Sequence, residues 1–431
     1  MRFFQLSIAC YASTVSSTRL IELVPPAFPL KAEVTIPGSK SITNRALLLA
    51  ALSSAPITLH GALWSEDTEI MVACLQSLGV QISVGVSEAE PSNRTISVLG
   101  TGGVLAGGPR ESPLELFVGN AGTAARFLAA LVCLGRGSYR LTGTARMHNR
   151  PQKALFEALR ELGYEIHSPN DRLPVVIHGS GPRNGAACRV SIDESSQFAS
   201  ALLLAATRAG WQVKVEGENA EESAYVRMTS DVISSFPSNG GSYGIEPDAS
   251  SASYFWGAGW LLERRSETRT SQVRIANWMT RSSQIDARFS AIIRAFPERI
   301  SRQQDLGDSI MTAIVLAPFA DVPKTFVDLG RLRLQECERV QALHTELRKC
   351  GADVSERGDT LHIKPGPLRG AAIETYDDHR MAMCFGMLGL AVPGIRIRNP
   401  ECVRKTFPNF FEKLSQPPPT GLGVQVKNVP S

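Results

Sequence analysis

The sequence predicts an α/β fold of two similar domains, assembled from six copies of one structural unit. Three observations carry this reading. The 431 residues exceed what a single hydrophobic core usually serves. Six times the chain shows a polar loop running into a helix of small and apolar residues. Most of these helices are followed by a second, amphipathic helix and short alternating strands.

The copies come in order as GSKSITNRALLLAAL from Gly38, GNAGTAARFLAALV from Gly119 and ESSQFASALLLAA from Glu194. PDASSASYFWGAG from Pro247, LGDSIMTAIVLA from Leu306 and DDHRMAMCFGMLGL from Asp377 complete the set. Each loop carries Ser, Thr, Asp or Asn where a helix N-cap belongs. The helices are apolar nearly all round, which predicts that they are buried. The second helices are of a different kind. In PQKALFEALRELGYEIHS, Leu155, Ala158, Leu159 and Leu162 make one stripe, and Gly163 supplies the stop. Segments such as TISVLG and TLHIKP fill the gaps as strands.

A helix N-terminus offers unpaired N–H groups and a partial positive charge, which together hold anions. Taken singly, each loop reads as an ordinary cap. Six of them, several holding Lys, Arg or Asp, point to a shared cleft for phosphates and carboxylates. The bulk numbers agree. A net charge of +4 permits a site for acidic small molecules without forming the basic stripe of a nucleic-acid binder. The eight cysteines are scattered singly, which argues against a zinc site or a disulfide framework and fits a reducing cytoplasm. No apolar run is long enough to span a membrane. The opening MRFFQLSIACYASTVSSTRL has too short an apolar stretch for a signal peptide. Residues 1–19 and 417–431 are expected to be loosely ordered tails.

Read jointly, VTIPGSKSITNRALLLAAL, LFVGNAGTAARFL, ARMHNRPQKAL, SSQFASALLLAA, DASSASYF, TYDDHRMAMCF and CVRKTFPNFFEKL resemble the EPSP synthases, enolpyruvyl transferases, in that family's order. The likeness runs from about Val34 to Leu414. It implies two domains, each an inside-out α/β barrel of three βαβαββ units. It also implies two chain crossings, near Val34–Ser39 and Tyr243–Asp248. The expected boundaries are 39–245 for one lobe, and 20–38 with 246–416 for the other. The implied reaction moves the enolpyruvyl group of phosphoenolpyruvate to the 5-hydroxyl of shikimate 3-phosphate and releases phosphate. That step lies on the shikimate pathway to chorismate and aromatic amino acids. It calls for no metal or organic cofactor. The expected partners are the two small-molecule substrates, with no nucleic acid or membrane, and the chain is expected to be a monomer.

The resemblance also assigns residues. Lys40 contacts both substrates, and Ser41 and Arg45 hold shikimate 3-phosphate. The bare Gly-Ser-Lys-Ser string lacks the upstream glycine of a phosphate-binding P-loop. Asn120 and Gly122 receive phosphoenolpyruvate, with Arg146 as a phosphate clamp. Arg126 and Arg150 remain open between that role and a structural one. Ser195 and Ser196 bind the 3-phosphate, and Gln197 bridges both ligands. Arg339, Arg380 and Lys405 match three phosphoenolpyruvate-binding cations, and a guanidinium fork suits carboxylate or phosphate. Asp308 is expected to accept the 5-hydroxyl proton and to touch shikimate 3-phosphate. Glu336 is expected to deliver a proton to C3, shared with Lys40. His379 reads as an orienting or buried histidine rather than the base.

The chain departs from the family on the shikimate 3-phosphate side. Arg331 and Gln335 stand where the family commonly has Asn and Lys, so Arg331 or Arg333 is left to reach the same anion. EESAYVRMT puts Glu222 where a serine is usual, and Ser223 substitutes after a slip of one residue. Phe127 replaces a proline. The stretch Met228–Gly244 is short and Glu263–Arg281 is unusually basic, which predicts trimmed strands. Two other readings stand beside this one. The sister enzyme acting on a UDP-sugar usually carries a reactive Cys in the loop equivalent to ARMHNRP, which has none here. A catalytically silent homologue would retain the cleft alone.

Overall fold

A computed structural model describes residues 19–26, 30–87, 89–217, 220–265, 271–279 and 281–430. All six loop-to-helix segments are helices: α1 Lys40–Leu52, α2 Gly122–Val132, α3 Ser196–Ala209, α4 Ala249–Arg265, α5 Ile310–Leu316 and α6 His379–Leu388. Their burial follows from their composition. Every residue of α2 and α5 is buried, and so is all of α6 except Arg380. Small side chains let such helices pack closely, and α1, α2 and α3 touch one another, as do α4, α5 and α6.

Six separate sheets accompany these helices. Four share one plan, seen in Leu114–Phe117, Arg136–Thr142, Val175–Ser180 and Glu165–His167. The first two strands run parallel with α2 between them, and the third and fourth add on antiparallel. The amphipathic helix Lys153–Glu161 leads into the hairpin, burying Leu155, Phe156, Ala158 and Leu159, and Gly163 follows it at φ +90°. The other two sheets stop at the parallel pair: Ala187–Ser191 with Gln212–Glu216, and Lys31–Val34 with Gln272–Ile275. Gln272–Ile275 lies in Glu263–Arg281, one of the two stretches where trimmed strands were expected, although residues 266–270 and 280 lie outside the described ones; in the other stretch, Gly241–Gly244 belongs to a four-stranded sheet. No sheet closes on itself among the described residues.

The buried apolar side chains form two clusters, one from Ile42 to Ile245, the other from Ile21–Ile36 and Ala252–Val424. Two chain crossings join them side by side. Ser39 N–H donates to the Glu246 carbonyl at 2.7 Å, and Asp248 N–H donates to the Pro37 carbonyl at 2.8 Å. Gly38 is confined there, since a Cβ would sit 2.0 Å from the Gly61 carbonyl oxygen. A buried ion pair ties the cores beside the crossings. Glu90, 1% exposed, meets Lys413 Nζ at 2.7 Å and accepts from Asn409 Nδ2 at 3.0 Å and from the Thr35 hydroxyl.

One expectation is corrected. Residues 417–430 are not a loose tail: Gln425–Val429 pairs antiparallel with Leu20–Val24, whose other edge pairs with Ile395–Arg398. The polar alternation of QVKNV suits an edge strand with one wet face. Residues 1–18 and 431, the rest of the expected tails, lie outside the described residues.

Lys413→Met strands a buried carboxylate, so denaturant unfolding is expected to register a loss of roughly 3–5 kcal/mol. The double change Glu90→Gln with Lys413→Met should recover much of it. Equal losses in the single and double variants would mean that the pair does not hold the cores.

Candidate active site

One cleft is lined from both cores, and the N-terminal turns of five of the six buried helices and the loop leading into the sixth, α5, reach it. Lys40 and Ser41 come from α1, Thr123 from α2 and Gln197 from α3. Ser250, Asp308 and Arg380 come from the starts of α4, α5 and α6. Local chemistry fixes these turns. Ser195 caps α3 by accepting from Gln197 N–H, and Asp378 caps α6 by accepting from Arg380 N–H.

The walls carry seven cationic side chains against four carboxylates, an imbalance suited to polyanions. Asp308 sits at the centre. Its Oδ1 meets Arg302 Nη2 at 3.0 Å, and its Oδ2 meets Arg380 Nη2 at 3.0 Å and Arg339 Nη1 at 3.8 Å. Burial alone would raise its pKa, but these three guanidiniums hold it far below the usual carboxylate range. Glu336 is similar. Burial opposes its charge, yet Arg339 at 2.9 Å and Lys405 at 3.4 Å, with Arg150, hold it well below the ordinary value. Arg339 is fully buried and also binds Asp378 at 2.7 Å and 3.2 Å. Burial would lower its pKa, but Asp378, Glu336 and Asp308 raise it.

Asp286, 3% exposed, is a neighbouring carboxylate of another kind. It accepts from Gly307 N–H at 2.7 Å, Ser309 N–H at 3.2 Å, Ser309 Oγ at 2.6 Å and Ser250 Oγ at 2.5 Å. These bonds fold the loop that carries Asp308. Burial raises its pKa, against the two serine hydroxyls. His379 is 1% exposed and lines the cleft, and among the described residues neither ring nitrogen has a hydrogen-bond partner. Burial first, then Arg380, lowers its pKa well below that of free imidazole, so the ring is neutral.

The expected residues divide into two groups. Lys40, Ser41, Arg45, Ser195, Ser196, Gln197, Asp308, Gln335, Glu336, Arg339 and Arg380 line the cleft. Asn120, Gly122, Arg146 and Lys405 are not among its lining residues, though two bonds of this set join the cores: Lys405 Nζ donates to the Asn120 carbonyl at 3.1 Å, and Arg146 Nη2 to the Gln335 carbonyl at 2.6 Å. Lys40 Nζ pairs with Asp67 at 2.8 Å. Arg45 is buried and spends three donors on Thr229, Ser200 and the Ser41 carbonyl, over the Phe127 ring; burial pushes it down to about 10. Gln335 reaches Asp308 Oδ1 at 3.4 Å.

Ser223 is not brought to the cleft; its hydroxyl accepts from Arg227 at 3.3 Å, while Tyr225 and Met228, three apart on the same helix, face inward. The side chain of Glu222 lies outside the described residues. Arg150 lines the cleft, whereas Arg126 is a structural partner, bound to the Gly122 and Pro151 carbonyls at 3.1 and 2.8 Å. Arg331 lines the cleft, but Arg333 is turned away to Glu338, Glu356 and Asp359. Arg302 and Asp286 were missed by sequence reasoning. In ERISRQQDLGD an arginine looks like one more surface charge, and only the fold reveals that it is buried against Asp308.

The family profile described as EPSP synthase (3-phosphoshikimate 1-carboxyvinyltransferase) matches residues 24–414. The chain is similar to the 3-phosphoshikimate 1-carboxyvinyltransferase of Trichormus variabilis, 37% identical over 426 residues, covering 90% of this chain and 96% of that protein. It is 35% identical to the protein of the same name from Pseudomonas syringae pv. tomato, covering 94% and 98%. In fold it matches an EPSP synthase structure from Acinetobacter baumannii with a TM-score of 0.73 at 22% identity, covering 95% of this chain and 100% of that one. With its profile matched over most of its length and such relatives spanning nearly all of both partners, the chain belongs to the EPSP synthase family.

Proposed function

We propose that this cleft transfers the enolpyruvyl group of phosphoenolpyruvate to the 5-hydroxyl of shikimate 3-phosphate, with release of inorganic phosphate. The observation that carries the reading is the cationic excess around Asp308 and Glu336 at six converging helix starts. It supports two polyanions bound side by side. Lys40, Ser41, Arg45, Ser195, Ser196, Gln197 and Asp308 are assigned to shikimate 3-phosphate, joined by Arg331 and Gln335. Lys40, Asn120, Gly122, Arg146, Gln197, Arg339, Arg380 and Lys405 are assigned to phosphoenolpyruvate, with Arg150 beside them. The proposed chemistry calls for no metal or organic cofactor.

The electrostatics suggest how binding prepares the reaction. Asp308 and Glu336 are ionised and weakly basic because arginines answer their charge. A substrate phosphate or carboxylate draws on the same guanidiniums. Each contact made to substrate loosens one made to Asp308 or Glu336 and raises that group's proton affinity. Asp308 then accepts the 5-hydroxyl proton as the oxygen adds to C2 of phosphoenolpyruvate. Glu336, once it has gained a proton, delivers one to C3, with Lys40 alongside. The adduct collapses as the Glu336 carboxylate takes a proton back from the C3 methyl and the C2–O bond to phosphate breaks, with the arginines stabilising the charge of the departing phosphate. The neutral His379 ring, with its unpaired nitrogens, offers a hydrogen bond without adding charge.

The two buried clusters support lobes of 39–245 and of 20–38 with 246–416. The three sheets and three buried helices of each support an inside-out α/β barrel. Because one chain supplies every wall of the cleft, a monomer suffices. The seven free thiols among the described residues support a reducing, cytoplasmic setting. No described helix is long and apolar enough to cross a membrane.

Phosphate release from the purified chain with both substrates tests the reading, and release that needs both is expected. Folded protein that releases none at saturating concentrations overturns it. Arg331→Met should raise KM for shikimate 3-phosphate by about 10-fold or more, the worth of one charge-assisted bond, and leave KM for phosphoenolpyruvate nearly unchanged. Equal effects on both would remove Arg331 from its assigned half. Asp308→Asn should lower kcat by roughly 10²–10⁴. It should also change acid stability. A depressed folded pKa contributes stability above the unfolded value near 3.9 that is lost as pH falls toward the folded value. The variant should therefore lose stability at pH 7 and show a shallower decline below about pH 5. An unaltered acid limb would contradict the depressed pKa.

A further inference from the structure

Away from the cleft, the edge strand Glu165–His167 and its neighbour Val175–Ser180 bring three donor groups to one sheet face. Glu165 and His167 alternate with the buried Ile166, so their side chains share the outward face. His178 lies directly across from Glu165 in the antiparallel register. The donor atoms of the three all fall within 4.8 Å of one another. His167 Nε2 is 2.7 Å from Glu165 Oε1, and His178 Nε2 is 4.0 Å from the same oxygen. None of the three lines the cleft.

We propose that Glu165, His167 and His178 form a binding site for a divalent transition metal of the Zn²⁺ class. Two imidazoles and a carboxylate are a donor set that such ions take, with a further position left for water. Strand geometry supplies the arrangement, with two ligands two residues apart and a third on the adjacent strand. Full coordination needs donor separations near 3–3.5 Å, as bond lengths of about 2.0–2.2 Å dictate. Small rotations of the exposed Glu165 and His167 side chains provide that. His178 is already oriented. Its Nδ1 lies 2.7 Å from Ser138 Oγ on the strand on its other side. With Nδ1–H donating to that hydroxyl, the lone pair is on Nε2, facing Glu165. A bound ion would clip the edge strand to its neighbour.

Arg110 opposes the ion. Its Nη1 and Nη2 sit 3.0 and 2.5 Å from the two Glu165 oxygens. It answers the carboxylate charge that a metal would otherwise meet, so removing it should tighten binding. That gain separates a built site from casual surface histidines.

The test is a Co²⁺ titration of the full chain, followed by its visible d–d absorption, with Zn²⁺ as competitor. One ion per chain is expected to give a tetrahedral or five-coordinate spectrum that Zn²⁺ abolishes. His178→Gln and His167→Ala should each weaken binding by at least ~10-fold, and Ser138→Ala by roughly that factor through its hold on the ring. Arg110→Gln should strengthen it several-fold, with phosphate release unchanged in every variant. Binding that survives the His167→Ala and His178→Gln pair, or fails to tighten in Arg110→Gln, overturns the proposal.

Discussion

Charge that is shut away from water has to be answered by opposite charge, and much of this molecule is arranged around that requirement. Arg339, fully buried, is the centre of the arrangement. It links Asp378 at the head of α6 with Glu336 in its own loop and Asp308 at the head of α5. Arg302 and Arg380 complete the ring around Asp308. Ion pairs of this kind bring little net stability, since desolvation offsets most of their attraction. Their value lies in exchange: the same cations serve carboxylates of the protein or anions of a substrate.

The repeat explains how so many charged groups come together. In four sheets a parallel strand pair is extended by two antiparallel strands, a hairpin in three of them and the distant Leu20–Val24 and Gln425–Val429 in the fourth, and in two sheets this extension is missing. The parallel pair and its helix are kept in all six. They are the part that directs a helix start at the cleft, and the hairpins lie further out on each sheet. Trimming has therefore been confined to strands whose loss leaves the cleft walls intact.

The buried helices could be read from sequence because small and apolar residues all round a helix leave no wet face. The amphipathic helix ending at Gly163 was legible for the opposite reason, a clean stripe and a stop. What escaped depends on distance along the chain. Strand Gln425–Val429 looks like a polar tail until its partner near residue 20 is known. Arg302 and Arg333 are alike as letters, yet one is buried against Asp308 and the other is held by acids outside the cleft. Ser223 misses the cleft because a helix repeats every 3.6 residues, and Tyr225 and Met228 occupy the inward face instead.

The pairing of Leu20–Val24 with strands near residues 395 and 429 has a consequence for how the chain is made. The first cluster draws on residues 42–245 alone and can form before residues 252–424 of the second have been made. The second holds the earliest of the described strands, Leu20–Val24, which must wait for the last of them, Gln425–Val429. Two halves alike in plan thus assemble on different schedules. The finished one provides a fixed surface while the emerging strands at the start remain unpaired. In that interval these edges are open to wrong partners.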